Sequence, residues 1–208
     1  MMIEPFCSKF LSPTTKYRRF SILLAIQHTP DTSQHKIARM THLSSSMVNN
    51  YMKVFQREGL IAVTGRTNRT QRYHLTAAGR TALMAASLAY SSEIIQLYGG
   101  AKRHLVDRLN RAYDDGVRKV ALFGAADTAE VVFAAIKQTP MRVAGVVDSD
   151  PGKQGRLFNG LVIEAPEALA GRALDAVIIT SFGRQQEIYE CAERLLNNET
   201  KVLRLSNL

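Results

Sequence analysis

Two apolar patterns at helical spacing, joined by a tight turn, constrain the fold of residues 31–59. Apolar positions recur three and four residues apart, which gives each predicted helix one apolar side and one polar side. These positions are Ile37 and Ala38 in the first helix, Leu43 in the turn, and Val48, Tyr51, Met52 and Phe55 in the second. The spacing predicts a helix-turn-helix, in which the small side chain of Ala38 lets the two helices cross closely.

The polar side of the second predicted helix carries five side chains that form hydrogen bonds, and none of them is acidic. They are Ser45, Ser46, Asn49, Asn50 and Lys53. A helix-turn-helix inserts its second helix in the major groove of DNA, where such groups meet base edges and phosphates. We therefore predict that these five residues contact double-stranded DNA.

The sequence before each helix of the motif contains helix-ending and capping signals. Residues 15–28 carry apolar side chains in helical rhythm and predict a scaffold helix that Pro30 ends. Asp31 or Thr32 is expected to cap the first helix of the motif, and Ser44 is expected to cap the second.

A β-hairpin is predicted directly after the helix-turn-helix. Residues 60–76 alternate apolar and smaller or polar side chains about a turn at 65–70. Arg66, Arg69 and Arg72 lie in this hairpin with no neighbouring acid. A hairpin at this place is the wing of a winged helix, and its arginines would follow a phosphate backbone or enter a minor groove. The alternative is that a charged hairpin tip is simply solvated.

The net charge of +9 is concentrated in the part of the chain with these motifs. Residues 1–79 hold 11 Lys and Arg against 3 Asp and Glu, whereas residues 80–208 hold 16 against 15. This distribution is expected if phosphate is the partner. No signal peptide, long apolar run or basic membrane-surface helix is evident, so we expect a soluble cytoplasmic protein with no membrane partner. The two cysteines are isolated and suggest no metal site.

Residues 77–98 form an Ala-rich pattern without proline, which predicts a long helix. Gly99 and Gly100 are expected to end it, and a second helix is expected from there to Gly116. Because more of the circumference is apolar than one domain face needs, we expect residues 81–116 to pack against another subunit of a homodimer. Burial between two domains of the same chain is the alternative.

From Arg118 onward the pattern changes to short runs rich in Val and Ile, separated by helical segments at 128–138 and 184–197. The runs occupy residues 118–124, 141–148, 174–180 and 200–206, with a shorter one at 161–165. Strands that are apolar on both faces and alternate with helices predict a parallel sheet covered on both sides. The expected fold class is α/β with two domains, a winged helix at 1–80 and a Rossmann-like sheet at 117–208.

The first strand-to-helix turn of this sheet has the layout of a nucleotide site. Its residues are Gly124, Ala125, Ala126, Asp127 and Thr128, and Asp148 ends the second strand 24 residues beyond Gly124. Such a turn binds phosphate at the helix N-terminus, and the acidic side chain accepts a hydrogen bond from a ribose hydroxyl. Alanines replace the second and third glycines of the usual pattern, and the charge of Asp127 opposes a phosphate unless that residue caps the helix. A purely structural turn is the alternative.

The first half of the chain resembles the winged-helix domain of MarR-type bacterial regulators, especially those found with exopolysaccharide genes. The residues that carry the resemblance are Leu43 to Gly59, Leu60-Ile61, the Gly-Arg-Thr-Asn-Arg wing tip and Tyr73-His74-Leu75-Thr76-Ala77-Ala78-Gly79. It covers roughly residues 15–85 and implies a dimer on a palindromic DNA site. The chain differs from these regulators because it continues into another domain after the winged helix.

The second half resembles the nucleotide-binding domains of polysaccharide-biosynthesis sugar dehydratases and acyltransferases, CoA-binding domains and Rex-type repressors. The residues that carry it are Asp148-Ser149-Asp150-Pro151, Lys153, Gly155, Gly160 and Pro166-Glu167-Ala168-Leu169. The resemblance covers roughly residues 116–205 and implies a nucleotide sugar, NAD(H) or CoA as ligand, with Ser181 beside it. Rex repressors end in a swapped helix, which we do not expect in this chain.

No convergent set of acid, base and nucleophile suggests catalysis, so we do not expect an enzyme. The sequence predicts a transcription regulator that binds DNA and senses a nucleotide-containing metabolite. Two alternatives stay open at this point. The Rossmann-like half could be a ligand-free module for dimerisation or partner docking, or the chain could be a nucleotide-sugar enzyme with a DNA-binding arm.

Overall fold

The computed structural model describes residues 14–65 and 70–206, which form two compact units. One unit extends to Gln96 and the other begins at Leu97. The long helix that contains these two residues therefore belongs to both units.

The first unit has the predicted winged-helix order of elements. Its helices are α1 (Thr15–His28), α2 (Gln34–Thr41) and α3 (Ser45–Arg57), its strands are β1 (Ile61–Thr64) and β2 (Arg72–Leu75), and α4 (Ala77–Asp114) begins within it. The antiparallel pairing of β1 with β2 confirms the hairpin, and its register places Val63 opposite Tyr73. The core consists of apolar residues from α1, α2, α3, the hairpin and the start of α4.

The cap of α2 differs from the sequence prediction, whereas the cap of α3 confirms it. The side chain of Ser33, not that of Asp31 or Thr32, accepts from the backbone at the start of α2. Thr32 instead forms an isolated antiparallel β-bridge with Tyr73 of β2. Thr32 therefore pairs with the hairpin, and the helix begins only after it. Ser44 caps α3 as expected, since its Oγ accepts from the Met47 amide at 3.2 Å.

Helix α4 is continuous through Gly99 and Gly100, so the predicted break between two helices is wrong. A glycine inside a helix costs only about 1 kcal/mol relative to alanine. The residues on both sides are good helix formers, so they continue the helix across this local penalty.

The second unit is a six-stranded sheet with helices on both faces. Its strands are β3 (Lys119–Phe123), β4 (Arg142–Val147), β5 (Leu157–Phe158), β6 (Leu161–Glu164), β7 (Ala176–Ile179) and β8 (Lys201–Arg204), and its helices are α5 (Asp127–Ile136), α6 (Gln185–Leu195) and a 3₁₀ helix at Pro166–Leu169. The spatial order is β5-β6-β4-β3-β7-β8. All pairs except β5 with β6 are parallel, which confirms the parallel sheet.

Alternate residues of the central strands pack on opposite faces of this sheet. Val120 and Leu122 contact the core beside α5 and the end of α4, whereas Ala121 and Phe123 contact the core beside α6 and the 3₁₀ helix. This two-sided burial explains why the strands are apolar at nearly every position. Across the described ranges, the structure contains no helix with the length and apolar character that a membrane span requires.

We expect the double variant Gly99→Ala/Gly100→Ala to be more stable than the native chain. An added Cβ has open space at Gly100 and meets only the Arg103 side chain at Gly99, at 3.4 Å. Removal of two helical glycines should raise the free energy of unfolding by about 1–2 kcal/mol in urea titrations. Gly79→Ala is the matched control in the same helix, because its Cβ would overlap the Leu60 carbonyl and destabilise the protein. A loss of stability in the double variant would contradict the continuous helix.

Candidate nucleic-acid interface and ligand pocket

The inner side of α3 is buried, and this determines which side chains its outer face presents. Val48, Met52 and Phe55 lie in the core of the first unit, at 0%, 2% and 0% exposure. All five residues predicted to contact DNA are exposed, namely Ser45, Ser46, Asn49, Asn50 and Lys53. The structure thus brings them to one surface, and DNA contact by each of them stays a prediction.

Polar contacts hold both ends of α3 against its neighbours. At the N-terminal end, the Gln34 side-chain amide of α2 donates to the Ser45 carbonyl at 3.1 Å. At the other end, the Arg19 guanidinium of α1 donates to both Glu58 carboxylate oxygens and lies 4.9 Å from the centre of the Phe55 ring. The hydrogen bond from Arg19 is the largest cause that holds the pKa of Glu58 below its ordinary value. These contacts fix the position of the exposed face.

The wing is tied to the loop before α2. His74 Nε2 lies 3.2 Å from Asp31 Oδ1, and Asp31 has a positive φ of 62°. Arg72 is half-buried at the start of β2 and donates to the Gln71 carbonyl at 2.9 Å. Arg66 and Arg69 lie outside the described residues, so their predicted role in DNA binding stays a sequence prediction.

A pocket of about 320 Å³ opens at the carboxyl ends of β3 and β7. The strands that follow β3, namely β4 and β6, lie between β3 and one edge of the sheet. The chain then returns to β7, which pairs with β3 on the side of the other edge. Ligands of parallel α/β sheets bind in the crevice where the strand order reverses in this way. The lining includes six of the seven residues predicted to bind ligand, namely Gly124, Ala125, Ala126, Thr128, Asp148 and Ser181.

Asp127, the seventh predicted residue, does not line the pocket. The N-cap of α5 is Ala126, which makes no side-chain capping hydrogen bond, and Asp127 is the first helical residue. Asp127 therefore does not cap the helix. The first amides of a helix lack partners within it, and those of Asp127 and Thr128 are in this position. Of these two residues, Thr128 lines the pocket.

Asp148 connects the turn after β3 to the loop after β4. Its Oδ2 accepts from the Ala125 amide at 2.8 Å and from Lys153 Nζ at 2.9 Å, and its Oδ1 accepts from the Asp150 amide at 2.9 Å. Burial acts to raise the pKa of Asp148, but these hydrogen bonds and the charge of Lys153 outweigh it and hold the pKa below its ordinary value. The carboxylate is therefore the ionised centre of a local network.

Eight residues of the lining were not among the predicted ligand contacts, and four of them carry polar, charged or exposed aromatic groups that matter here: Lys153, Thr180, Phe182 and Arg184. Thr180 Oγ1 lies 2.6 Å from the Gly124 carbonyl oxygen and 2.9 Å from that of Phe123, so it joins the ends of β3 and β7. A signal existed for Lys153, which lies in the loop that carries the family resemblance. After β7 the resemblance placed only Ser181 beside a ligand, and it gave no signal for Phe182 or Arg184 in the same loop.

Two family models match the chain. Residues 16–62 match a model described as winged helix-turn-helix DNA-binding, and residues 116–203 match one described as C2185-like, N-terminal. The first match and the observed order of elements identify a winged helix. The description of the second family names no ligand or activity. No curated protein matches the chain.

Solved structures of bacterial regulators are similar to part of the chain. The transcriptional regulator MosR of M. tuberculosis is 22% identical, with 49% of this chain and 77% of that chain covered and a TM-score of 0.36. BpsR of Bordetella bronchiseptica, whose DNA binding is described as regulated by 6-hydroxynicotinic acid, is 21% identical, with 51% and 86% covered and a TM-score of 0.37. A Staphylococcus aureus MepR–DNA complex is 21% identical, with 40% and 62% covered and a TM-score of 0.35. MosR and MepR are described as transcription regulators.

Asp148→Asn should destabilise the second unit, because an NH2 group replaces one of the two accepting oxygens and the charge that pairs with Lys153 is lost. Loss of charged hydrogen bonds of this kind costs about 1–3 kcal/mol. The lowered pKa means that the ionised form contributes stability above the unfolded-state pKa of about 3.9, and that this contribution is lost as the pH falls through the folded-state pKa.

The difference in free energy of unfolding between the native protein and Asp148→Asn should therefore have its largest value at pH 7, and it should decrease as the pH falls below about 4. Urea unfolding of both proteins across this range measures it. Asp150→Asn serves as control, because the Asp150 carboxylate is exposed and accepts only from the Gly152 amide among the described residues. A constant difference at all pH values would contradict an ionised Asp148 at the centre of this network.

Proposed function

We propose that this chain is a DNA-binding transcription regulator of MarR type that acts in the cytoplasm. The observation that carries the proposal is the exposed polar face of α3 in a winged helix. Burial of the opposite face leaves five hydrogen-bonding residues on one surface, with no acid among them. In this arrangement Asn49 and Asn50 are suited to read base edges, because an amide can donate and accept at the same time.

The charge distribution supports the same proposal. Residues 1–79 carry 11 basic side chains against 3 acidic ones. Each phosphate contact by a basic side chain releases a condensed counterion, so binding by such a surface weakens steeply with salt. Arg66, Arg69 and Arg72 of the wing are proposed to provide part of this contact beside the groove that receives α3.

The second unit is proposed to be a Rossmann-like sensor of a nucleotide-containing metabolite. A parallel sheet with helices on both faces and a pocket at its switch point supports this proposal. The predicted ligand residues, apart from Asp127, line one continuous pocket. The sequence resemblance favours a nucleotide sugar linked to polysaccharide biosynthesis, with NAD(H) and CoA as the other candidates. No catalytic role is proposed.

A homodimer is part of the proposal, with α4 as the surface between the two copies. Met84, Leu88 and Ile95 on this helix are 65%, 66% and 68% exposed. Their spacing of four and seven residues places them along one side of a helix. Two copies would also match the two half-sites of a palindromic DNA sequence.

Two sets of substitutions test the DNA proposal on a duplex selected for binding from a random pool. Asn49→Ala should weaken binding to the selected duplex and reduce the preference over a scrambled duplex, because a base contact carries about 1–3 kcal/mol of discrimination. Arg66→Ala/Arg69→Ala should weaken binding to both duplexes and reduce the slope of log affinity against log salt by about one unit per lost phosphate contact.

Fluorescence anisotropy at several salt concentrations measures both effects, and sedimentation should find two chains on each selected duplex. Asn198→Ala and Arg194→Ala are the matched controls, because both residues are exposed in the second unit and should leave DNA binding unchanged. If Asn49→Ala and Arg66→Ala/Arg69→Ala behave like these controls, the proposed DNA interface is wrong.

A further inference from the structure

The pocket departs from the usual nucleotide site at its acidic residue. An acid at the end of the second strand ordinarily accepts hydrogen bonds from the ribose of a bound nucleotide. Here the carboxylate of Asp148 accepts from two backbone amides and from Lys153 Nζ, and the residue is only 7% exposed. A carboxylate has about four lone-pair sites, and three of those on Asp148 are used within the protein. One site remains, on a side chain that is nearly buried, so little of this carboxylate is left for a ribose hydroxyl.

Two cationic side chains line the same pocket and retain unused donors. Lys153 has three N–H donors, of which the contact with Asp148 uses one within the described part of the chain. Arg184 has five donors, and its guanidinium pairs with Glu187 three residues later. This pair is exposed, and Glu187 does not line the pocket. Exposed pairs of this kind are weak and screened by salt, so an anionic ligand can replace the Glu187 carboxylate as the partner of Arg184.

The rest of the lining is suited to an organic ligand that carries this anion. Phe182 is 71% exposed at the pocket, and its ring offers a flat apolar surface for a base. Ser181 adds a hydroxyl group beside it. The charged residues of the lining are Asp148, Lys153 and Arg184, so cations outnumber acids.

We propose that the pocket recognises a nucleoside diphosphate group through Lys153 and Arg184, and that Asp148 positions Lys153 and the Ala125 turn instead of binding the ribose. This inference rests on the proposed sensing function and specifies the chemistry of its ligand. The diphosphate is the main source of affinity, and the sugar of the nucleoside contributes little. Charge-assisted contacts from a planar guanidinium and an ammonium group are the strong hydrogen bonds available to phosphate in proteins.

The test is calorimetric titration of the full chain with UDP and ADP, with their 2′-deoxy forms, with uridine and adenosine, and with inorganic pyrophosphate. At least one diphosphate should bind. Its 2′-deoxy form should bind within about twofold of it, because no carboxylate accepts from the 2′-hydroxyl, and its nucleoside should bind at least about tenfold more weakly. Lys153→Gln and Arg184→Gln should each weaken the binding of the diphosphate by about tenfold or more.

Lys119→Gln and Arg194→Gln are matched controls that should leave diphosphate binding unchanged. Both residues are exposed, and neither lines the pocket; Lys119 begins β3 at the opposite edge of the sheet. Circular dichroism and the melting temperature should show that all four variants fold like the native chain.

The outcomes separate this inference from the function on which it rests. If a nucleoside binds as tightly as its diphosphate, nucleotide sensing stands and the proposed phosphate recognition is wrong. If the 2′-deoxy form binds tenfold more weakly, nucleotide sensing stands and the proposed role of Asp148 is wrong. If pyrophosphate binds as tightly as the diphosphates, the pocket is a simple anion site and the inference also fails. If neither a diphosphate nor a nucleoside binds, the sensing function itself is contradicted.

Discussion

The burial of one side of α3 is the constraint on which the first unit depends. Val48, Met52 and Phe55 lie in a core formed with α1, α2 and the hairpin, so α3 cannot rotate without exposing apolar surface. Exposure of a single large apolar side chain costs about 1.5–3 kcal/mol. The same burial that stabilises the winged helix therefore determines which polar side chains face outward. In this unit, fold and proposed DNA recognition are two consequences of one amphipathic pattern.

In the second unit, the burial of apolar side chains on both faces of the sheet determines the arrangement. Strands that are apolar on both faces must be covered by helices on both sides, and parallel strands then end at a common edge. The turns after β3, β4 and β7 meet at this edge and form the pocket. Asp148 and Thr180 hold the three turns together through hydrogen bonds to backbone groups. The groups that shape the pocket are thus largely used within the protein, whereas Lys153 and Arg184 retain donors for a ligand.

Much of this architecture could be predicted from the sequence because it rests on periodicity. The helix-turn-helix, the hairpin and all five parallel strands follow apolar patterns that a single segment reveals. Features that depend on distant residues were missed or wrong. Ser33 caps α2 because Thr32 is paired with Tyr73, and this pairing is visible only in the fold. The two-residue strand β5 is too short for a periodic signal, and it is held by its pairing with β6.

The candidate pocket likewise contains some residues that the sequence predicts and others that only the fold reveals. The turn at Gly124 and the acid at Asp148 have a recognisable spacing, whereas Phe182 and Arg184 follow a strand that joins the site only through the sheet order. Gly99 and Gly100 were misjudged for a different reason. Their local preference against helix is real, but it is small compared with the sum of the helix-forming residues around them.

Linkage between the two units tests the central claim most directly. A sensor must bind its ligand with different affinity in the DNA-bound and DNA-free states, so ligand and DNA must change each other's binding. Anisotropy measures the affinity for a selected duplex with and without a saturating nucleoside diphosphate at fixed ionic strength. The account predicts a change of about fivefold or more, in either direction. An unchanged DNA affinity, with the nucleotide shown to be bound, would contradict a ligand-controlled regulator.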